Sequence, residues 1–236
     1  MIDFYYAPTP NGWKIAIMLE ECSLKYNTVK VNLTKGEQFK SEFLAINPNA
    51  KIPAIVDHDV VNDSISVFES GAIMLYLAEK TGKFLSSDTL GRKETFEWLF
   101  WQVANQGPMA GQLSHFINYA PDEQNYSLAR YLGEYERNLA VLERRLDGRK
   151  FILGDTYTIC DMIAFPWAFI AKSLGSSFDR FSNVACWRQM MKQRPAVRNA
   201  INLMKEQQNR GDHNASNNKI LYNQNADHLL MRPRER

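Results

Sequence analysis

Residues 51–82, KIPAIVDHDVVNDSISVFESGAIMLYLAEKTG, limit the possible folds more than any other stretch of the chain. Two short apolar runs, 54–56 and 65–68, flank a polar turn over 58–64, and a helical pattern begins at once after the second. Short runs parted by such a turn read as a β-hairpin, and Ile73, Met74, Leu77 and Ala78 continue as one apolar helix face. Pro53 has no N–H to give to a strand ladder, so it belongs at the mouth of the first strand. Glu69 and Ser70 fall where the second strand becomes the helix.

This hairpin and helix have two features that suit a ligand. A helix N-terminus carries unpaired N–H groups and a partial positive charge, so Ser70 at the cap can hold a carboxylate while Glu69 pairs with an ammonium. Together they would recognise an amino-acid zwitterion. If the Ile52–Pro53 bond is cis, the backbone of Ile52 turns outward and can pair with an extended peptide, as in strand addition. The plainer alternative is that Glu69 and Ser70 only cap a helix and Pro53 only starts a strand. The residues alone leave both open.

Upstream, residues 2–7 (IDFYYA) are rich in β-formers and end at Pro8, which reads as the first strand. The turn Thr9-Pro10-Asn11-Gly12 follows, with Asn11 placed to cap a helix running through Glu21. Residues 26–33 alternate as a second strand, and 41–46 form a short helix ended by Asn47-Pro48-Asn49. The order β-α-β-α-β-β-α over residues 1–82 is that of a thioredoxin-like domain. A polar loop between a strand and a helix, such as Thr9 to Gly12, is where α/β sheets place their ligands.

Beyond a polar linker at 83–88 the strand signals almost vanish, and residues 89–208 read as an all-helical domain. The first helix, 89–106, carries Phe96, Leu99, Phe100 and Val103 at helical spacing, and Gly107, Pro108 and Gly111 are expected to kink or break it. Residues 126–146 carry one apolar stripe. Thr158 and Asp161 form a capping box with Asp in place of Glu. The helix they open, 159–174, is apolar almost all round and is expected to bend at Pro166. Helices over 184–193 and 196–208 close the domain. The 209–236 tail is polar, and disorder is expected there.

Several functions are set aside by what the chain lacks. No run approaches the ~20 apolar residues that span a bilayer, and Asp3, Pro8, Pro10 and Asn11 stand where a signal peptide would be apolar, so a cytoplasmic protein without membrane contact is expected. A net charge of +2 leaves no broad footprint for nucleic acid. Cys22, Cys160 and Cys186 lie far apart and form no ligand-like pair, which argues against a disulfide framework or a metal site. The four histidines are scattered, with no nucleophile motif beside them.

A thioredoxin-like domain followed by an all-helical one, with Ile-Pro before a hairpin and Glu-Ser at the next helix, resembles the glutathione transferases. The segments FYYAPTPNGWKI, LTKGEQFKSEFLAINPNAKIPAIVD, FESGAIMLYLAEKTG and WLFWQVANQGPM are similar to the bacterial Nu class, and the resemblance covers residues 1 to about 208. It implies a dimeric, glutathione-dependent disulfide-bond oxidoreductase that needs no metal, with glutathione as co-substrate. By the same resemblance Glu69 and Ser70 hold the γ-glutamyl head, Ile52, before Pro53, pairs its backbone with the cysteinyl unit, and Gln38 and Lys51 lie near the glycyl end. Thr9 and Asn11 would engage the sulfur, and Arg130 would reach the site of the neighbouring subunit. Trp13 stands where a close relative carries His, beside the pocket for a second thiol. The alternatives are conjugation of glutathione to an electrophile, peroxide reduction, or a binding module without catalysis.

Thiol–disulfide exchange needs the thiolate, and a free thiol of pKa ~8.5 is mostly protonated at neutral pH. Lowering that pKa by one unit requires ~1.4 kcal/mol of preferential binding to the anion. The Thr9 hydroxyl, the Asn11 N–H and the positive end of the first helix are placed to supply it. The turn contains no cysteine, so both reacting sulfurs must come from glutathione, glutathione disulfide or a small disulfide substrate.

Overall fold

A computed structural model describes residues 1–61, 63–120, 124–205 and 226–230. Its four-stranded sheet is built from β1 (Ile2–Tyr6), β2 (Tyr26–Lys30), β3 (Ala54–Asp57) and β4 (Ile65–Phe68), in the order β2-β1-β3-β4. β1 runs parallel to β2, and β3 is antiparallel to both β1 and β4. Alternation along β1 sends Ile2, Phe4 and Tyr6 into the main core, while Tyr5 packs with Phe43 on the opposite face. The short helix α2 (Ser41–Leu44) carries Phe43; α1 (Pro10–Glu21) and α3 (Ser70–Thr81) supply the core on the other side.

The helical part comprises α4 (Thr89–Trp101), α5 (Gly107–Asn118), α6 (Asn125–Arg145), α7 (Ile159–Phe169), α8 (Ser182–Gln193) and α9 (Pro195–Asn202). The junction between the two parts is α1, in which every residue from Gly12 to Leu19 is buried. It packs on α3 within its own domain and on α7 and α9 of the other, so a single apolar core runs through both. Arg194, just before α9, grips Glu21 at the end of α1 through two bonds of 2.6 and 2.9 Å and lies over the Tyr157 ring at 3.8 Å. Such a bidentate pair fixes orientation as well as distance.

Several expected boundaries move. β2 stops at Lys30, and two 3₁₀ turns, Leu33–Lys35 and Glu37–Phe39, occupy the stretch between it and α2. Where Gly107 and Pro108 are expected to kink or break the helix, it does not break: α4 passes into α5 through a π-helical segment, Gln102–Gln106. The widened turn takes in Ala104, whose carbonyl the Pro108 ring would otherwise crowd. α7 stays helical through Pro166 and ends at Phe169, short of 174, where a 3₁₀ turn (Ala171–Leu174) takes over. Arg188 donates twice to the Phe169 carbonyl there, at 3.0 and 3.2 Å.

The capping box at Thr158 and Asp161 forms as expected. The buried Asp161 carboxylate accepts from Thr158 N (3.1 Å), Ile152 N (2.9 Å) and the Trp187 indole (3.0 Å), tying α7 to the preceding loop and to α8. Helix α9 ends at Asn202 rather than 208. Most of the 209–236 tail lies outside the described residues, but 226–230 depart from the expected disorder. They form a short helix, α10 (Ala226–Leu230), whose His228 ring lies 5.0 Å from that of Phe39.

Candidate active site

Where β1 gives way to α1, the chain must turn sharply and close to the strand. Gly12 is required: a Cβ there would sit 2.4 Å from the Ala7 carbonyl oxygen and 2.7 Å from the Tyr6 ring. Pro10 takes the first helical position, where its missing N–H leaves nothing unpaired. That makes Thr9 the N-cap, a correction to the expectation that Asn11 caps the helix: the Thr9 hydroxyl oxygen accepts from Gly12 N at 3.3 Å. Its own O–H proton stays available to a ligand.

Asn11 is used differently. Its Oδ1 accepts from the Trp167 indole Nε1 at 3.0 Å, across the junction from α7. An indole only donates, so this bond fixes the amide with its oxygen toward Trp167 and leaves the NH₂ for a ligand.

At the other end of the site, Glu69 is the residue before α3 and Ser70 is its first. Glu69 is the N-cap by position, and its side chain makes no capping hydrogen bond to the helix. The Glu69 backbone has φ +67°, a left-handed conformation that costs a non-glycine residue of order 1 kcal/mol or more and tends to persist at ligand sites. Its exposed carboxylate accepts from Asn49 Nδ2 at 3.2 Å. Between the two ends, the Ile52–Pro53 bond is cis, and the Asn47 amide donates to the Lys51 carbonyl at 2.5 Å.

Two cavities share this framework. One, of about 340 Å³, is lined by Glu69, Ser70, Asn49, Pro53 and, from the helical domain, Pro108 and Gln112. The second, of about 440 Å³, is lined by Thr9, Gln38, Leu33, Ser114, His115 and Tyr119. Asn11, Lys51, Ile52, Gly111 and Trp167 border both. The structure thus brings together eight of the nine residues expected at a site. Gln38 is only 1% exposed, and both its amide oxygen and nitrogen are buried without a protein partner. Each such orphan costs ~1–3 kcal/mol until a ligand satisfies it.

Arg130 is the ninth. It lies on α6, paired with Glu134 at 2.9 Å, and lines neither cavity of its own chain. Trp13 lines neither cavity either; it is buried, edge-on to Phe169 at 5.9 Å.

Sequence reasoning missed Lys14. It is 2% exposed, borders the first cavity, and donates to Gln102 Oε1 at 2.9 Å and to Ser70 Oγ at 3.4 Å. Burial lowers its pKa from 10.5 to about 7, with the Glu69 carboxylate pulling the other way. The available signal was a lone lysine inside the apolar run WKIAIML. Trp167 was also missed, because an indole in an almost wholly apolar helix reads as core. Among the described residues no group of His, Cys, Asp and Glu is arranged to hold a metal ion, and no helix is long and apolar enough to cross a membrane.

Comparison with known proteins points the same way. Residues 2–79 match the family model "Glutathione S-transferase, N-terminal domain", and residues 108–195 match "Glutathione S-transferase, C-terminal domain". The chain is 47% identical over 203 residues to the disulfide-bond oxidoreductase YfcG of Escherichia coli, covering 85% of this chain and 94% of that protein. It is 41% identical over 211 residues to the disulfide-bond oxidoreductase YghU of the same organism, covering 84% and 73%. Among solved structures it is similar to a glutathione transferase from Burkholderia graminis with two glutathione molecules bound per subunit (TM-score 0.82, 40% identity, 86% and 88% covered). A Pseudomonas putida glutathione transferase with one glutathione disulfide bound per subunit is similar too (TM-score 0.80, 38% identity, 86% and 91% covered).

Proposed function

Because the chain belongs to the glutathione S-transferase family, we propose that it is a glutathione-dependent disulfide-bond oxidoreductase. The observation that carries this reading is the meeting of two cavities at one turn that has sulfur-stabilising groups and no cysteine. In the first cavity the Glu69 carboxylate takes the α-ammonium of a glutathione, and Ser70 with the start of α3 takes its α-carboxylate. Ile52 pairs its backbone with the cysteinyl unit. Lys51 and the unsatisfied amide of Gln38 take the glycyl end.

That places the sulfur at the turn. The Thr9 O–H, the Asn11 NH₂ and N–H and the positive end of α1 stabilise the thiolate there, without any of them acting as a base. The thiolate attacks one sulfur of a small disulfide, forming a mixed disulfide and expelling the other half as a thiolate that takes a proton from water. A second glutathione thiolate attacks the glutathionyl sulfur and releases the remaining half. Two glutathiones are oxidised to one glutathione disulfide, and one disulfide is reduced to two thiols.

The cytoplasm, whose glutathione pool would supply the reductant, is the proposed location. A homodimer is part of the same reading, supported by the apolar side chains exposed on β4 (Ile65, Phe68) and on α4 (Leu90, Phe100). Arg130 would then serve the neighbouring site. Reduction of 2-hydroxyethyl disulfide by glutathione, coupled to glutathione reductase, tests the activity. Turnover that falls in Thr9→Ala and Asn11→Ala while glutathione still binds is the expected result. Accumulation of thioether with an electrophile, and no disulfide reduction, would favour conjugation instead; binding without either would leave a binding module.

A further inference from the structure

The site holds a buried amine for which the exchange reaction sketched above has no use. Lys14 Nζ is enclosed beneath the α3 N-terminus, and its two partners, Ser70 Oγ and Gln102 Oε1, are both neutral. Both bonds go to neutral acceptors, so neither neutralises a charge on the amine, and Ser70 links it to the cavity that Lys14 borders. Gln102 opens the π-helical segment between α4 and α5, a local widening often found at functional sites, and its Nε2 is buried without a partner. A cation isolated this way, without a buried counter-ion, is poorly accounted for as a device for stability alone.

We propose that Lys14 is a positioning residue that supplies the buried positive charge for the α-carboxylate of glutathione, acting through Ser70, and that near neutral pH the site takes up a fraction of a proton from solvent as that carboxylate binds. The inference rests on the glutathione reading above. In the free protein the amine sits near the midpoint of its titration at neutral pH, because burial disfavours its charged form. A carboxylate brought next to it favours the ammonium, so the bound complex holds the proton that the free site lacks.

Other charges around α1 do not take this role. Glu69 is the charged group that acts on Lys14, and it already favours the ammonium. Asp161 on α7 is held by Thr158, Ile152 and Trp187. Arg194 is paired with Glu21, and Arg198 on α9 is exposed. On α3, Lys80 pairs with Asp57 and Glu79 with Arg92. Lys51 stands across the cavity, exposed.

The test is calorimetric titration of the full chain with S-methylglutathione, which has no thiol proton to confuse the count, in buffers of different ionisation enthalpy. The expected uptake is a large fraction of a proton per site at pH 7.5 and little at pH 6, since an amine with a pKa of about 7 is mostly neutral at the first pH and mostly charged already at the second. Lys14→Met should abolish the uptake and weaken binding about tenfold at pH 6, a loss of about 1.4 kcal/mol. Lys14→Gln should behave alike, and either variant suffices if the other fails to fold. Binding without proton uptake in the wild type, or uptake that survives in a folded variant, would overturn the role of Lys14 alone. Failure of S-methylglutathione to bind the wild type at millimolar concentration would overturn the glutathione reading and this inference together.

Discussion

The Trp167 indole donates to the Asn11 side-chain oxygen across 156 residues of chain, at 3.0 Å. This bond makes the helical domain part of the sulfur site: α7 determines which end of the Asn11 amide faces the cavities. Trp167→Phe keeps most of the packing but removes the donor, so the amide is free to rotate. The kcat/KM for disulfide reduction should fall about tenfold or more, since misplacement of a stabilising group costs at least that much. Thermal stability should change by only a few degrees. Steady-state kinetics beside a melting curve separates the two; a variant with unchanged kcat/KM would show that Asn11 needs no such orientation.

Gln38 makes a contrary pair of effects expected. Its buried amide lacks protein partners, so Gln38→Met should leave the free protein as stable or stabilise it by about 1 kcal/mol. The same change removes the groups offered to the glycyl end of glutathione and should raise its Kd about tenfold. Urea unfolding and calorimetric binding, measured on one preparation, check both halves.

Asp161 should be needed for the fold alone. Asp161→Ala leaves the Ile152 and Thr158 N–H groups and the Trp187 indole without their shared acceptor, and a loss of about 3 kcal/mol or more is expected. Equilibrium urea unfolding measures it. Glutathione affinity of the fraction that remains folded should be unchanged.

Lys14 should leave a signature in stability as well. Its folded pKa of about 7 lies below its unfolded value near 10.5, so between those pH values the unfolded chain binds the extra proton. Without ligand, stability should therefore rise with pH from about 7 to 10, with a contribution of up to ~1.4 kcal/mol per pH unit. The difference in unfolding free energy between wild type and Lys14→Met, followed from pH 6 to 9, isolates it. A difference that is flat across that range would show that the amine is not perturbed.

Gly12→Ala should abolish soluble expression or cost more than about 3 kcal/mol, because the new methyl meets rigid backbone and an enclosed ring. Soluble yield, and urea unfolding of any soluble variant followed by circular dichroism, decide it.

The chain's local chemistry was enough to read the order of elements and to single out candidate site residues, while their roles came from the family resemblance. A run of β-formers ending at Pro8 marked β1, two short apolar runs around a polar turn marked the hairpin, Pro53 marked the strand mouth, and Thr158 with Asp161 marked the start of α7, because each depends on residues close in sequence. Glu69, Ser70 and Ile52 were legible as candidates for the same reason, since one hairpin and one helix start position them, whereas Lys51 came from the family resemblance; all four line the first cavity. What needed the tertiary structure is whatever joins distant segments. Only packing of α7 on α1 shows that Asn11 serves Trp167 while Thr9 caps the helix. Only the π-helical passage from α4 to α5 places Gln102 over Lys14, making a lysine in an apolar run a buried cation at the cavity wall. Local sequence sets which backbone conformations and caps are favourable, whereas desolvation and hydrogen-bond partners arise only when helices 88 or more residues apart are pressed together.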